Sequence, residues 1–131
     1  MTICGSMAFA REMDELKRQL LKIGHEVTSP PELHRYLEPD HHVDVKAEKV
    51  ELDVIRLYYD EIQKTDAVLI LNNEKNGIPG YIGGNVLIEM AFAHVLEKKM
   101  FLMFEIPKMT YSDEIEAMQP IVLDGDLGRI K

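Results

Sequence analysis

Thr65-Asp66-Ala67-Val68-Leu69-Ile70-Leu71-Asn72-Asn73 is the stretch that decides the fold. Its five central residues are all apolar, with none of the alternation of a half-exposed strand, which is the pattern of a parallel strand covered on both faces. Turn chemistry follows at once in Asn72, Asn73, Asn76, Gly77, Pro79 and Gly80. Upstream, Ala47, Val50, Val54, Tyr58 and Ile62 fall on one helical stripe, so a helix is expected from about Val45 to Lys64.

Outward from this centre, strand and helix patterns alternate. Thr2-Ile3-Cys4 is a short strand broken by Gly5-Ser6, and Phe9, Met13, Leu16 and Leu20 then recur at helical spacing. Gly24 stops that helix, and Glu26-Val27-Thr28 reads as a second strand ended by Pro30 and Pro31. Leu33 to Asp44 is polar and reads as a loop or short helix. Downstream, Gly83-Gly84-Asn85 opens a very apolar helix in which Val86 to Leu96 carries only Glu89 and His94 as ionisable residues. Met100 to Phe104, Ser112 to Met118 and Ile121 to Leu123 follow as strand, helix and strand. The order predicts a single doubly wound α/β domain over residues 1–131, with a five-stranded parallel sheet of flavodoxin-like order 2-1-3-4-5 and helices on both faces.

Composition narrows the classes of partner. A chain of 131 residues that is 46% hydrophobic can bury a core without staples. Fifteen Lys and Arg against 23 Asp and Glu give a formal charge of -8, which opposes attraction to nucleic acid. A small anionic nucleotide is not excluded, because backbone amides at a helix N-terminus can hold phosphate against an unfavourable overall field. The single cysteine, Cys4, forms no intramolecular disulfide. Without a signal peptide or an apolar run of spanning length, the expected compartment is cytoplasmic and no membrane partner is expected.

Ligands of open α/β sheets bind beyond the carboxyl ends of the strands. Three segments belong there: Gly5-Ser6-Met7, Asn72-Asn73, and Gly83 to Glu89. Glu89 is the sharpest signal, a carboxylate among Val86, Leu87, Ile88, Met90, Ala91, Phe92 and Ala93. Such an acid must be paired, be neutral or line a pocket, since burying an uncompensated charge costs several kcal/mol. Its structural alternative is a favourable charge near a helix N-terminus. Ser6 is a natural N-cap and also part of a potential anion site, while Gly83 and Gly84 allow close approach of backbone to a ligand.

The pattern of Ile3-Cys4-Gly5-Ser6, Thr65-Asp66-Ala67-Val68, and Gly83-Gly84-Asn85 leading to Glu89, Ala91, Ala93 and Lys99 resembles the nucleoside 2-deoxyribosyltransferase superfamily, including its 2'-deoxynucleoside 5'-monophosphate N-hydrolases. The resemblance spans most of the chain. It implies Glu89 as a nucleophile on the anomeric carbon and a glycosyl-enzyme ester, the logic of retaining glycosidases. It further implies a 5'-phosphate or 5'-hydroxyl held by Gly5, Ser6 and Met7 and a sugar lined by Gly83, Gly84 and Asn85; Asn72 is a ligand-binding candidate by its place just past the central strand. No metal or organic cofactor is implied. Three positions depart from the family. Tyr58 stands where an Asp is usual, Thr2 where an aromatic is frequent, and Gly83 where Ser or Asp is frequent. Asp60 is the nearest carboxylate to the first of these and the second catalytic candidate, although about 200° of helix separates it from Tyr58. The plainer reading makes Asp60 a solvated acid between Arg56 and Lys64.

Other readings have less behind them. His34, His41, His42 and Asp40 or Asp44 match no closed metal site. Pro79-Gly80-Tyr81-Ile82-Gly83-Gly84 with Glu89 is loosely similar to nucleotide phosphoribohydrolases of the lysine-decarboxylase-like group, which would make ribose the sugar cleaved. A non-catalytic nucleotide sensor is the third possibility. A homo-oligomer, most simply a dimer, is expected from the apolar helix Val86 to Leu96. The resemblance adds that Tyr111 to Met118 of one copy would complete the pocket of another.

Overall fold

The computed structural model describes residues 1–39, 46, 47, 50 and 53–131. Four strands form one sheet: β1 (Thr2–Gly5), β2 (Ala67–Leu71), β3 (Lys99–Leu102) and β4 (Ile121–Val122). They lie in the order β1-β2-β3-β4 and every pairing is parallel, with Cys4 beside Ile70, Ile70 beside Leu102, and Leu102 beside Val122. The helices are α1 (Ala10–Lys22), α2 (Leu33–Tyr36), α3 (Val54–Lys64), α4 (Gly84–Val95) and α5 (Ser112–Ala117), with a 3-10 turn over Met7–Phe9 running into α1.

All five residues of β2 are buried, and the side chains alternate between two cores as strand geometry requires. Leu69, with Ile3 and Phe101 on neighbouring strands, packs under Met13, Leu16 and Leu20 of α1. Val68 and Ile70, with Cys4 and Leu102, pack against Tyr58 and Ile62 of α3 and Val86, Met90 and Ala93 of α4. An α/β fold with a parallel sheet is thus what the apolar run encodes. Among the described residues no helix is long and apolar enough to cross a membrane.

Two expectations are corrected. The sheet has four strands and not five, because Glu26-Val27-Thr28 contributes a single bridge between Thr28 and Thr2. Met1 N donates to Glu26 O at 2.8 Å, Thr28 N–H to Met1 O at 2.9 Å and Ile3 N–H to Thr28 O at 2.8 Å, a contact too short to count as a strand of the sheet. Pro30 and Pro31 follow with no N–H to extend it. The helix expected from Val45 is described as continuous only from Val54. Asp53 precedes it in the left-handed region at φ 47, and Val50 is 76% exposed, so the buried stripe begins at Val54. Ala47 is also exposed. Residues 45, 48, 49, 51 and 52, together with Asp40, His41, His42 and Asp44, lie outside the described residues.

A buried amide locks the strand ends. Asn72, fully buried just past β2, accepts from Phe104 N–H at 2.9 Å and donates to Glu105 O at 3.0 Å and Phe104 O at 3.2 Å. It also approaches Gly80 O at 3.4 Å. Gly80 has φ +72, and a Cβ there would stand 2.2 Å from Glu105 O, so only glycine fits. Further along, Tyr111 donates its hydroxyl to Ile82 O and Ile115 is fully buried, which ties α5 into its own chain. Asn72→Ala should destabilise the fold by about 2–4 kcal/mol by stranding these backbone groups. Urea unfolding would show it as a lower midpoint at an unchanged slope.

Candidate active site

The carboxyl end of β1 opens onto a cavity of about 710 Å³, a size suited to a small ligand. Gly5, Ser6, Met7, Gly83, Gly84, Asn85 and Glu89 all line it, so the segments singled out after the first strand and at the glycine pair converge on one hollow. Asn72 does not line it; its amide is taken up by the latch described above. Asp60 is exposed and is not among the lining residues either. The cations expected beside Asp60 go elsewhere, Arg56 to Asp53 at 3.0 Å and Lys64 to Glu61 at 3.9 Å.

One wall begins at the β1 turn. The backbone is closely approached at Gly5, where a Cβ would meet Met13 Cε at 2.9 Å and Leu71 O at 3.2 Å. Ser6 is extended and caps the 3-10 turn by accepting from Ala8 N–H at 3.2 Å. Lys75 Nζ donates to Ser6 Oγ at 3.4 Å and lies 5.3 Å from the centre of the Tyr81 ring. The chain brings Lys75 there by a tight turn: Lys75 and Ile78 exchange backbone hydrogen bonds across Asn76 and Gly77, both at positive φ. That is the geometry Asn-Gly favours in a two-residue hairpin. Arg11, in the first turn of α1, lines the same cavity. Lys75 beside the capped turn at Ser6 is a group suited to an anion, and Arg11 is a second cation elsewhere on the cavity lining.

Glu89 projects from the second turn of α4. Asn85, four residues earlier, faces the same side. Behind Glu89 lies Cys4, fully buried at the end of β1, whose thiol hydrogen-bonds it. Glu89 Oε2 is shielded from solvent and has no hydrogen-bond partner among the described residues. Burial pushes its pKa up to about 8; the Cys4 hydrogen bond works against that shift, and the charge of Glu32 adds to it. Near neutral pH the protonated form of Glu89 is thereby favoured. Burial, and secondarily Glu89, likewise hold the Cys4 thiol neutral and able to donate. Tyr58 occupies the α3 side of the cavity, donating its hydroxyl to Ile3 O at 2.5 Å. Burial is the main reason its phenol also stays neutral.

Several lining residues gave no advance signal. Glu32 and Tyr36 come from the segment after the proline pair, Tyr81 from the approach to α4, and Lys75 from its turn. Only Asn76-Gly77 hinted at the last of these, as a hairpin signal whose neighbours point inward. His34 bonds Pro31 O at 3.0 Å through Nδ1, and among the described residues no cluster of His, Cys, Asp or Glu could hold a metal. Compared with known proteins, the chain matches no family model, no curated protein and no solved structure.

The raised pKa has a stability consequence. An unfolded Glu ionises near pH 4.5, whereas folded Glu89 keeps its proton up to about pH 8. The folded state therefore binds the extra proton across that window, and this group's contribution declines as pH rises through it. Glu89→Gln, neutral at every pH and of the same shape, should match the parent near pH 4 and exceed it in Tm by at least a few degrees at pH 8. Equal melting temperatures at both pH values would show Glu89 to be solvated.

Proposed function

We propose that this chain is an N-glycosidic bond enzyme, a hydrolase or transferase of small (deoxy)nucleosides and, most suitably, of their 5'-monophosphates. The observation that carries the reading is Glu89 Oε2, solvent-shielded and without a hydrogen-bond partner among the described residues, at the wall of a nucleotide-sized cavity that Lys75 and Arg11 also line. The chemistry demanded of such a carboxylate is attack on the anomeric carbon as the base departs. Its apolar setting strengthens its attraction to an oxocarbenium-like transition state. A low resting ionisation is compatible with this role, because a sugar developing positive charge favours the carboxylate form.

Ser6, the backbone at Gly5 and Met7, Lys75 and Arg11 would receive the 5'-phosphate. Gly83, Gly84 and Asn85 would border the sugar, and Tyr36 and Tyr81, the aromatic residues of the lining besides Tyr58, would pack against the base. The reading uses no cofactor. It includes a doubly wound, flavodoxin-like organisation in which the segment bridged to β1 through Thr28 is an outer strand shortened to one residue. It also includes a homodimer through α4, supported by the exposure of Ile88 (39%) and Val95 (78%).

Incubation with deoxy- and ribonucleoside 5'-monophosphates, with free base followed by chromatography, is the direct assay. Glu89→Gln should lower kcat by roughly a thousandfold or more. Lys75→Ala should raise KM roughly tenfold for a 5'-monophosphate while sparing the matching nucleoside, the loss of one charge-assisted contact. Base release that survives Glu89→Gln would sink the assignment.

A further inference from the structure

We propose that Glu32 is the second catalytic carboxylate of this site, the acid that protonates the departing base and the base that then activates water. The inference rests on the glycosidase reading and adds the group that reading lacks. A nucleobase anion is a poor leaving group, so bond cleavage needs a proton donor. Asp60 is exposed and outside the cavity, and the Tyr58 hydroxyl is committed to Ile3 O. Lys75 lies at the Ser6 corner. Of the remaining acids lining the cavity, Glu12 and Glu38 are exposed, whereas Glu32 is partly buried with its Oε2 shielded from solvent. Glu32 is also the lining acid whose charge acts on both Glu89 and Tyr58, which line the same cavity.

The backbone holds Glu32 firmly. Buried Pro30 and its neighbour Pro31 fix the approach, Leu33 N–H donates to Pro30 O at 3.0 Å, and Glu32 O accepts from Arg35 N–H at 3.0 Å at the start of α2. Two acids facing one cavity favour a state in which one of them keeps a proton. With that proton on Glu32, ionised Glu89 forms its bond to the anomeric carbon as the C–N bond breaks, and Glu32 passes its proton to the base. Glu32, now ionised, takes a proton from water whose oxygen attacks the same carbon. The ester bond to Glu89 breaks and both carboxyls return to their starting states.

The test compares the parent and Glu32→Gln on dGMP and on its 7-methyl derivative, whose base leaves neutral and needs no proton, after subtraction of spontaneous depurination. We expect kcat for dGMP to fall at least a hundredfold in Glu32→Gln with KM little changed, while cleavage of the 7-methyl compound stays within a few fold of the parent. The second substrate also reports that the variant is folded. An equal loss on both substrates, or no loss on either, overturns the assignment of Glu32 while leaving Glu89 in place. A parent inert on both overturns the glycosidase reading and this role with it. A readout free of turnover is the titration of Glu89 followed by carbon-13 NMR. Its midpoint should move to lower pH in Glu32→Gln, and an unmoved midpoint would remove Glu32 from the site.

Discussion

Desolvation of β2 on both faces is the constraint from which the rest of the molecule follows. Five consecutive apolar residues cannot lie at a surface without exposing a large patch, so each face must acquire a layer of helices. Parallel neighbours follow, because a strand covered on both sides returns to its partners through crossovers. Parallel strands end on one side of the sheet, and the turn after β1 and the glycines before α4 meet there. The cavity is thus a consequence of the way the central strand is buried.

Glu89 is the acid that this geometry brings to the cavity. Core stripe residues Val86, Met90 and Ala93 orient α4, and the position between the first two carries an acid to the hollow's edge. Burial at that edge raises its pKa to about 8. A fold keeps such a group only against the trend of its own stability. Cys4 and Tyr58, both neutral and buried, form the low-dielectric backing that raises the electrostatic value of the carboxylate.

The parts legible from sequence were those written in local periodicity. Met13, Leu16 and Leu20 declared one face of α1, and the isolation of Glu89 among apolar neighbours marked it before any contact was known. Asn72 was misleading for a physical reason: a polar residue just beyond a central strand can serve a ligand or the chain's own turns, and here four backbone groups of residues 80, 104 and 105 claim it. The long stripe toward Val45 failed at Asp53, since periodicity does not register a single left-handed residue. Lys75, Glu32 and Tyr36 were silent because the turns and bends that aim them depend on neighbours distant in sequence. Thr28 shows the same limit from the strand side, where a β-rich tripeptide met prolines and paired only once.

The central claim is that Glu89 becomes covalently attached to the sugar. The most direct measurement is mass spectrometry of the protein quenched during reaction with a 2'-fluoro-2'-deoxynucleoside 5'-monophosphate, whose fluorine slows breakdown of a glycosyl ester. The account predicts a sugar-phosphate adduct that fragments to Glu89. Release of base with no adduct, or an adduct on any other residue, would contradict it.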